Sequence, residues 1–118
     1  MSTDTSTNPY LSGNLAPIAT EYTAVDLPVT GELPEELDGR YVRNGPNPLG
    51  AIDTATYHWF TGDGMVHGLS LRGGRAEWYR NRWVRSTRVS ELLGEPPAPG
   101  ERQFFDTANT NVIGHAGR

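Results

Sequence analysis

Three histidines, His58, His67 and His115, are the side chains of this chain whose neutral nitrogens could hold a transition metal. Their spacing is not the HxH, HxxxH or HExxH by which one strand or helix aims two imidazoles at one ion, so a structural role is expected for each. Asp53 and Asp63 offer carboxylate oxygens, but neither is followed by acids at calcium-loop spacing, and Gly62-Asp63-Gly64 reads first as a turn. The sequence has no cysteine, which excludes a disulfide scaffold, a thiolate metal site and a thiol nucleophile. No Gly-x-Ser-x-Gly elbow presents a serine, and Ser12 precedes Gly13 by turn chemistry alone. Gly62-x-Gly64 lacks the third glycine and the helix of a dinucleotide fingerprint.

The remaining chemistry is cationic. Arg72, Arg75, Arg80, Arg82, Arg85 and Arg88 interleave with Trp78, Tyr79 and Trp83 and are relieved by Glu77. Such a stripe could hold a single-stranded nucleic acid by charge and stacking. Arginines alternating along a hairpin are more often a solvated face or partners of carboxylates elsewhere in the chain. The formal net charge of -4 argues against binding nucleic acid through the overall field.

The elements that must position these groups are short. A length of 118 residues allows one modest core, and 14 Gly and 9 Pro make the chain turn-rich, while 11 aromatics exceed what a disordered tail carries. Residues 1–8 read as a flexible leader and 9–118 as the folded part, opening with an extended arm punctuated by Pro9, Pro17 and Pro28. Thr23 to Val29 reads as a strand, and Leu33-Pro34-Glu35-Glu36-Leu37 before Asp38-Gly39 as a single helical turn. Arg40 to Arg43 alternates like a strand. The two prolines and one glycine of Asn44 to Pro48 then predict a rigid loop in which pairing stops. The dense patch Tyr57-His58-Trp59-Phe60, followed by a turn at 61–64, predicts strand, turn, strand.

Gly73-Gly74 between two alternating runs marks a hairpin from Met65 to Arg85. Counting outward from that turn sets Leu71 against Ala76, Leu69 against Trp78 and His67 against Arg80. Met65, His67, Leu69, Leu71, Ala76 and Trp78 then share one face, and Ser70, Arg75, Glu77, Tyr79 and Asn81 the other. Thr87 to Gly94 predicts a short helix with Val89, Leu92 and Leu93 inward, ended by the proline-rich Glu95 to Gly100. Phe104-Phe105 opens a further segment, and Asn111 to His115 reads as a strand just begun. These pieces do not close a core, and the chain is expected to be a fragment. The start lacks a secretory pattern, and no run approaches the roughly 20 apolar residues of a membrane span, so a cytoplasmic location is expected by default.

Three motifs in order carry a resemblance. Asn8-Pro9-Tyr10-Leu11-Ser12-Gly13-Asn14 comes first, and Gly31-x-Leu33-Pro34-x-x-Leu37-x-Gly39-x-Tyr41-x-Arg43-Asn44-Gly45-Pro46-Asn47-Pro48 follows it. The third is Tyr57-His58-Trp59-Phe60-x-Gly62-Asp63-Gly64-Met65-Val66-His67. Together they resemble the amino-terminal part of the carotenoid cleavage oxygenase family. Tyr79-x-Asn81-Arg82-x-Val84-Arg85 and Ala108-Asn109-Thr110-Asn111 extend the likeness over nearly the whole chain from residue 8.

The resemblance implies an all-β fold: the amino-terminal arm and first blade or blades of a seven-bladed β-propeller, incomplete in this chain. It further implies a non-haem Fe(II) dioxygenase whose iron is held by four histidines lying beyond the point that matches Arg118. His58, His67 and His115 match positions that are not ligands, so no catalytic and no metal residue is assigned here, and this fragment alone is expected to bind no iron and to be inactive. Phe60 matches a position near the substrate tunnel, where a ring suits a polyene, although blade core is an equal reading. The implied partners are a hydrophobic polyene and dioxygen, with peripheral membrane contact and oligomeric state left open and no nucleic acid expected. A stilbene-like alkene is the alternative substrate within the family. A small β-rich module using the Arg72 to Arg88 hairpin for a single strand or an acidic partner is the alternative outside it.

Overall fold

A computed structural model describes residues 8–99 and 107–118. The segments 1–7 and 100–106 lie outside the described residues, and with them most of the expected leader and the segment opened by Phe104-Phe105. Asn8, assigned to the leader, is instead buried and hydrogen-bonded.

Strands β1 (Tyr22–Leu27), β2 (Gly39–Pro46), β3 (Gly64–Arg72) and β4 (Arg75–Trp83) form one antiparallel sheet in the order β1-β4-β3-β2. Helix α1 (Thr87–Leu93) follows, and short 3-10 turns occupy Pro9–Leu11, Gly13–Leu15 and Trp59–Thr61. Hairpin β3-β4 closes on Gly73 and Gly74, whose φ angles of +57° and +75° are the left-handed values such a turn needs. β1 falls within one residue of its expected start. Helix α1 has the expected span because Ser86 caps its first turn by accepting from the Val89 N–H, and Gly94 ends it in the left-handed conformation.

The hairpin register departs from simple counting. Leu71 faces Ala76 as expected, but Ser70 faces Trp78, Leu69 faces Tyr79, His67 faces Asn81 and Met65 faces Trp83. A β-bulge inserts Glu77 as an extra residue between the first two of these pairs, and the Ser70 hydroxyl donates to its carboxylate at 3.1 Å. One inserted residue turns every later side chain of β4 over, because strand side chains alternate with period two. Tyr79, Asn81 and Trp83 therefore join Met65, His67 and Leu69, while Trp78 passes to the opposite face beside Arg80, whose guanidinium lies 4.6 Å from the ring centroid.

That turnover creates the core. Met65, Trp83 and Val89 are fully buried together, with Ile18, Leu49 and Leu93 packed around them, at the end of the hairpin far from its turn. Leu92, expected inward, is 52% exposed, and the small Ser90 is buried in its place.

Four other expectations are corrected. β2 continues through Asn44, Gly45 and Pro46, which pair with Val66, Met65 and Gly64. As the outermost strand of the sheet it has an open side, on which a proline forfeits no ladder donor. Leu33 to Leu37 forms a hydrogen-bonded turn, Leu37 N–H to the Pro34 carbonyl at 3.2 Å, not a turn of helix. Trp59–Thr61 is 3-10 instead of strand because His58 caps it locally. Asn111 to His115 pairs with no strand among the described residues, and a turn between His115 and Arg118 follows it. No described helix is long and apolar enough to cross a membrane.

Candidate functional site

The aromatic patch is shaped by its own polar atoms. The Asp53 carbonyl accepts from the Thr56 and Tyr57 N–H groups at 3.2 and 2.9 Å, which turns the chain before Tyr57. His58 Nδ1 then accepts from the Phe60 N–H at 3.1 Å and the Thr61 hydroxyl donates to the His58 carbonyl at 2.8 Å, winding Trp59 to Thr61 into one 3-10 turn. Tyr10, His58 and Phe60 follow one another in tilted ring contacts, with centroid separations of 4.7 and 4.9 Å and interplanar angles of 47° and 56°. Burial raises the Tyr57 hydroxyl above the ordinary tyrosine range, and the Asp63 charge adds to it. Phe60 stands 76% exposed, outside the core of the described residues.

Asparagines tie this turn to distant segments. Asn8 Nδ2 donates to the Thr54 and Tyr57 carbonyls at 2.9 and 3.1 Å, fixing the arm beneath the turn. Asn109 Nδ2 donates to the Phe60 and Gly62 carbonyls at 3.1 and 2.7 Å from the other side. Asn44 Nδ2 donates to the Ala108 and Asn111 carbonyls at 3.0 and 3.3 Å and so holds the segment that carries Asn109. A β-carbon at Gly64 would overlap the Ala108 carbonyl oxygen, so the close approach of that segment requires glycine there. Asn47 repeats the device at the arm, accepting from the Ile18 N–H at 2.6 Å and donating to the Ile18 carbonyl at 2.8 Å.

Asp63 is the buried electrostatic centre. Its carboxylate accepts from the Leu49 N–H at 2.9 Å and from Arg88 Nη1, while Arg88 Nη2 donates to the Leu49 carbonyl at 2.6 Å. Trp83 Nε1 donates to the Asn47 carbonyl at 2.8 Å, so the core tryptophan holds the same loop. The Gly62-Asp63-Gly64 turn gains a specific content: it joins the 47–49 loop after β2, the start of β3 and α1.

The three histidines stand apart in function. His58 caps the 3-10 turn, and His115 closes the turn at 115–118 through its backbone. His67 Nδ1 lies 2.5 Å from the Tyr79 hydroxyl. Burial, with the Arg43 charge beside it, lowers the His67 pKa below the ordinary histidine range. Burial likewise raises Tyr79. Among the described residues no group of three or more His, Asp and Glu side chains converges to hold a metal ion. An iron centre therefore does not fit the side chains described.

The arginine stripe is largely engaged. Arg85 pairs with Glu21 at 2.8 Å and Glu95 at 2.7 Å, and Arg88 pairs with Asp63. Arg72 meets Asp38 at 3.3 Å and Arg75 meets Asp26 at 3.2 Å, both at the exposed end of the hairpin. Arg82 donates to the Tyr22 carbonyl at 3.0 Å and the Thr23 hydroxyl at 2.8 Å, and so ties β1 to β4. The Arg85 hydrogen bond holds Glu21 below the ordinary glutamate range. Local sequence could not have disclosed the asparagine ties, since each reaches 29 to 67 residues along the chain.

Residues 15–118 match the family described as retinal pigment epithelial membrane protein. A carotenoid cleavage oxygenase of Mycobacterium tuberculosis is 62% identical over 96% of this chain and 23% of its own length. A carotenoid 9,10(9',10')-cleavage dioxygenase of Crocus sativus is 49% identical over 70% of this chain and 15% of its own. Among solved structures, the Pseudomonas brassicacearum lignostilbene dioxygenase superposes with a TM-score of 0.65 at 30% identity, covering 75% of this chain and 19% of that one. Cobalt-substituted Synechocystis ACO superposes at 0.68 with 26% identity, over 86% of this chain and 25% of that one. This chain spans less than a quarter of the curated relatives it matches, and its antiparallel sheet with one helix is an incomplete β-propeller. The motifs, the sheet they build and these likenesses agree, and the chain belongs to the retinal pigment epithelial membrane protein family, that of the carotenoid cleavage oxygenases.

Proposed function

We propose that this chain is the amino-terminal arm and first blade of a non-haem iron(II) dioxygenase that splits a carbon–carbon double bond of a carotenoid or apocarotenoid, giving two carbonyl products. The observation that carries this reading is the 62% identity to a carotenoid cleavage oxygenase over 96% of the chain. Iron would supply the activation of dioxygen, and no described side chain is assigned to hold it. The contribution of this chain is shape: a sheet braced by buried polar ties, and an apolar ring, Phe60, offered to the polyene. Phe60 lies outside the core that the described residues build, so its ring is available either to substrate or to the remainder of the protein. A cytoplasmic location goes with this reading.

A stilbene-like alkene is the second reading, favoured by the superposition on a lignostilbene dioxygenase at 30% identity. The hairpin arginines that pair with carboxylates speak against a free cationic stripe for nucleic acid. The test is to express the complete reading frame that encodes this chain, load it with Fe(II), and supply β-carotene, an apocarotenal or a hydroxylated stilbene under labelled dioxygen. Loss of the polyene with label in two carbonyl products is expected. Turnover of the stilbene alone selects the second reading, and turnover of neither overturns both.

A further inference from the structure

The Ala108-Asn109-Thr110-Asn111 motif has no part in the proposed reaction, yet the Asn109 side chain reaches the residue offered to substrate. Asn109 Nδ2 spans the carbonyls of Phe60 and Gly62, the two ends of the peptide run that turns the Phe60 ring outward. The second amide in the arrangement, Asn44, holds Ala108 and Asn111 on either side of Asn109, so the donor is itself fixed in place. Backbone contact at Gly64 leaves the segment no room to move toward the sheet. On the opposite side the ring rests on His58, whose Nδ1 accepts the Phe60 N–H. Phe60 is thus gripped at both its N–H and its carbonyl while its side chain makes contact mainly with one imidazole.

We infer that Asn109 is a specificity-determining positioning residue: by holding the Phe60 carbonyl it sets where the Phe60 ring stands, and through that ring which double bond of an extended alkene is presented for cleavage. The inference rests on the proposed reading of Phe60 as a substrate contact. A polyene offers many similar bonds in a row, so selection among them depends on where the chain stops sliding, and a ring on a fixed backbone is a stop. Asn109 acts at one remove and touches neither substrate nor iron.

The experiment uses the complete encoded protein with Asn109→Asp, which keeps the shape and loses the donor, Phe60→Ala, and the pair together. Asn109→Asp should raise the share of product from the wrong double bond about tenfold or more, with summed kcat changed less than about threefold. Phe60→Ala should shift the product ratio in the same direction and at least as far, with a loss of rate besides, and the double variant should shift the ratio no further than Phe60→Ala, because both act through one ring. Multiplying effects in the double variant, or an unchanged product ratio in Asn109→Asp, overturns the inference. Chymotryptic cutting after Phe60, followed on the same proteins, is expected to quicken about tenfold in Asn109→Asp as the turn opens. If the wild-type protein cleaves no alkene, the functional reading has failed, and an unaltered cutting rate would show separately that Asn109 does not hold the turn.

Discussion

Arg88→Met removes one partner of the most buried charge in the described structure. The Asp63 side chain is 4% exposed and has two donors, the Leu49 N–H and the Arg88 guanidinium. Stripping the cation from a buried pair costs about 3–5 kcal/mol when both partners are enclosed. Arg88 is 44% exposed, so water screens part of the interaction and already solvates the lost charge, which brings the expected cost to about 2–3 kcal/mol. The loss should fall first on α1, which the Arg88 side chain ties to β3 through Asp63 and to the loop through the Leu49 carbonyl. Amide hydrogen exchange reads this directly. The Ser90 and Gly94 N–H groups, bonded to the Ser86 and Glu91 carbonyls, should exchange roughly 30- to 150-fold faster, at about 1.4 kcal/mol per tenfold. Asp63→Asn combined with Arg88→Met should return most of that protection, because the remaining amide oxygen still accepts from Leu49 N–H and no charge is left stranded. Unchanged exchange in Arg88→Met, or a double variant worse than the single, would refute the account of Asp63 as a buried charge held by its partner.

Met65→Ala empties the centre of the core and should lower stability by about 2–4 kcal/mol, read as a shift in urea midpoint at constant slope. Gly64→Ala forces the 107–111 segment off the start of β3 and should expose Phe60 to chymotrypsin as Asn109→Asp does, despite leaving every polar group in place. Glu21 ionises below the ordinary glutamate value of about 4.3 because Arg85 binds its carboxylate. Its contribution is therefore full above that value and lost as pH falls through the depressed one, so Glu21→Gln should flatten the acid limb of the stability curve. His67 titrates below the ordinary value of about 6.5, chiefly through burial, so its contribution to stability is present above that pH and declines as pH falls through the lowered value. Proton NMR of the imidazole should place its midpoint there, and Arg43→Gln should raise it.

Elements specified by neighbours in sequence were legible, and those specified across the chain were not. Gly73-Gly74 announces the β3-β4 turn, and Ser86 with Gly94 announces α1, since each motif satisfies backbone groups within a few residues. The Glu77 bulge has no comparable mark: an alternating run with one residue too many reads the same until the partner strand is laid beside it, and so Trp78 and Trp83 exchange the faces that counting gives them. Pro46 reads as a breaker unless its strand is known to be outermost. At the candidate site, Phe60 was legible only through family motifs, and its exposure came from the structure. The amides that hold it were invisible because a single Asn side chain says nothing about a carbonyl 49 residues away.

The asparagine ties share one property: each amide grips main-chain atoms. Asn8, Asn44, Asn47 and Asn109 bond to the backbone at positions 18, 54, 57, 60, 62, 108 and 111, among other contacts. A main-chain carbonyl is the same whatever side chain it bears, so these contacts are blind to the identity of the residue they hold. Mutational drift can rewrite most of the gripped positions while the architecture stays put, provided the amides themselves persist; Gly62 is the exception, because a β-carbon there would strike Tyr57 and Pro46. Around Phe60 this separates two kinds of inheritance: the path of the main chain is held by the amides, and the side chains displayed along it are left open to selection.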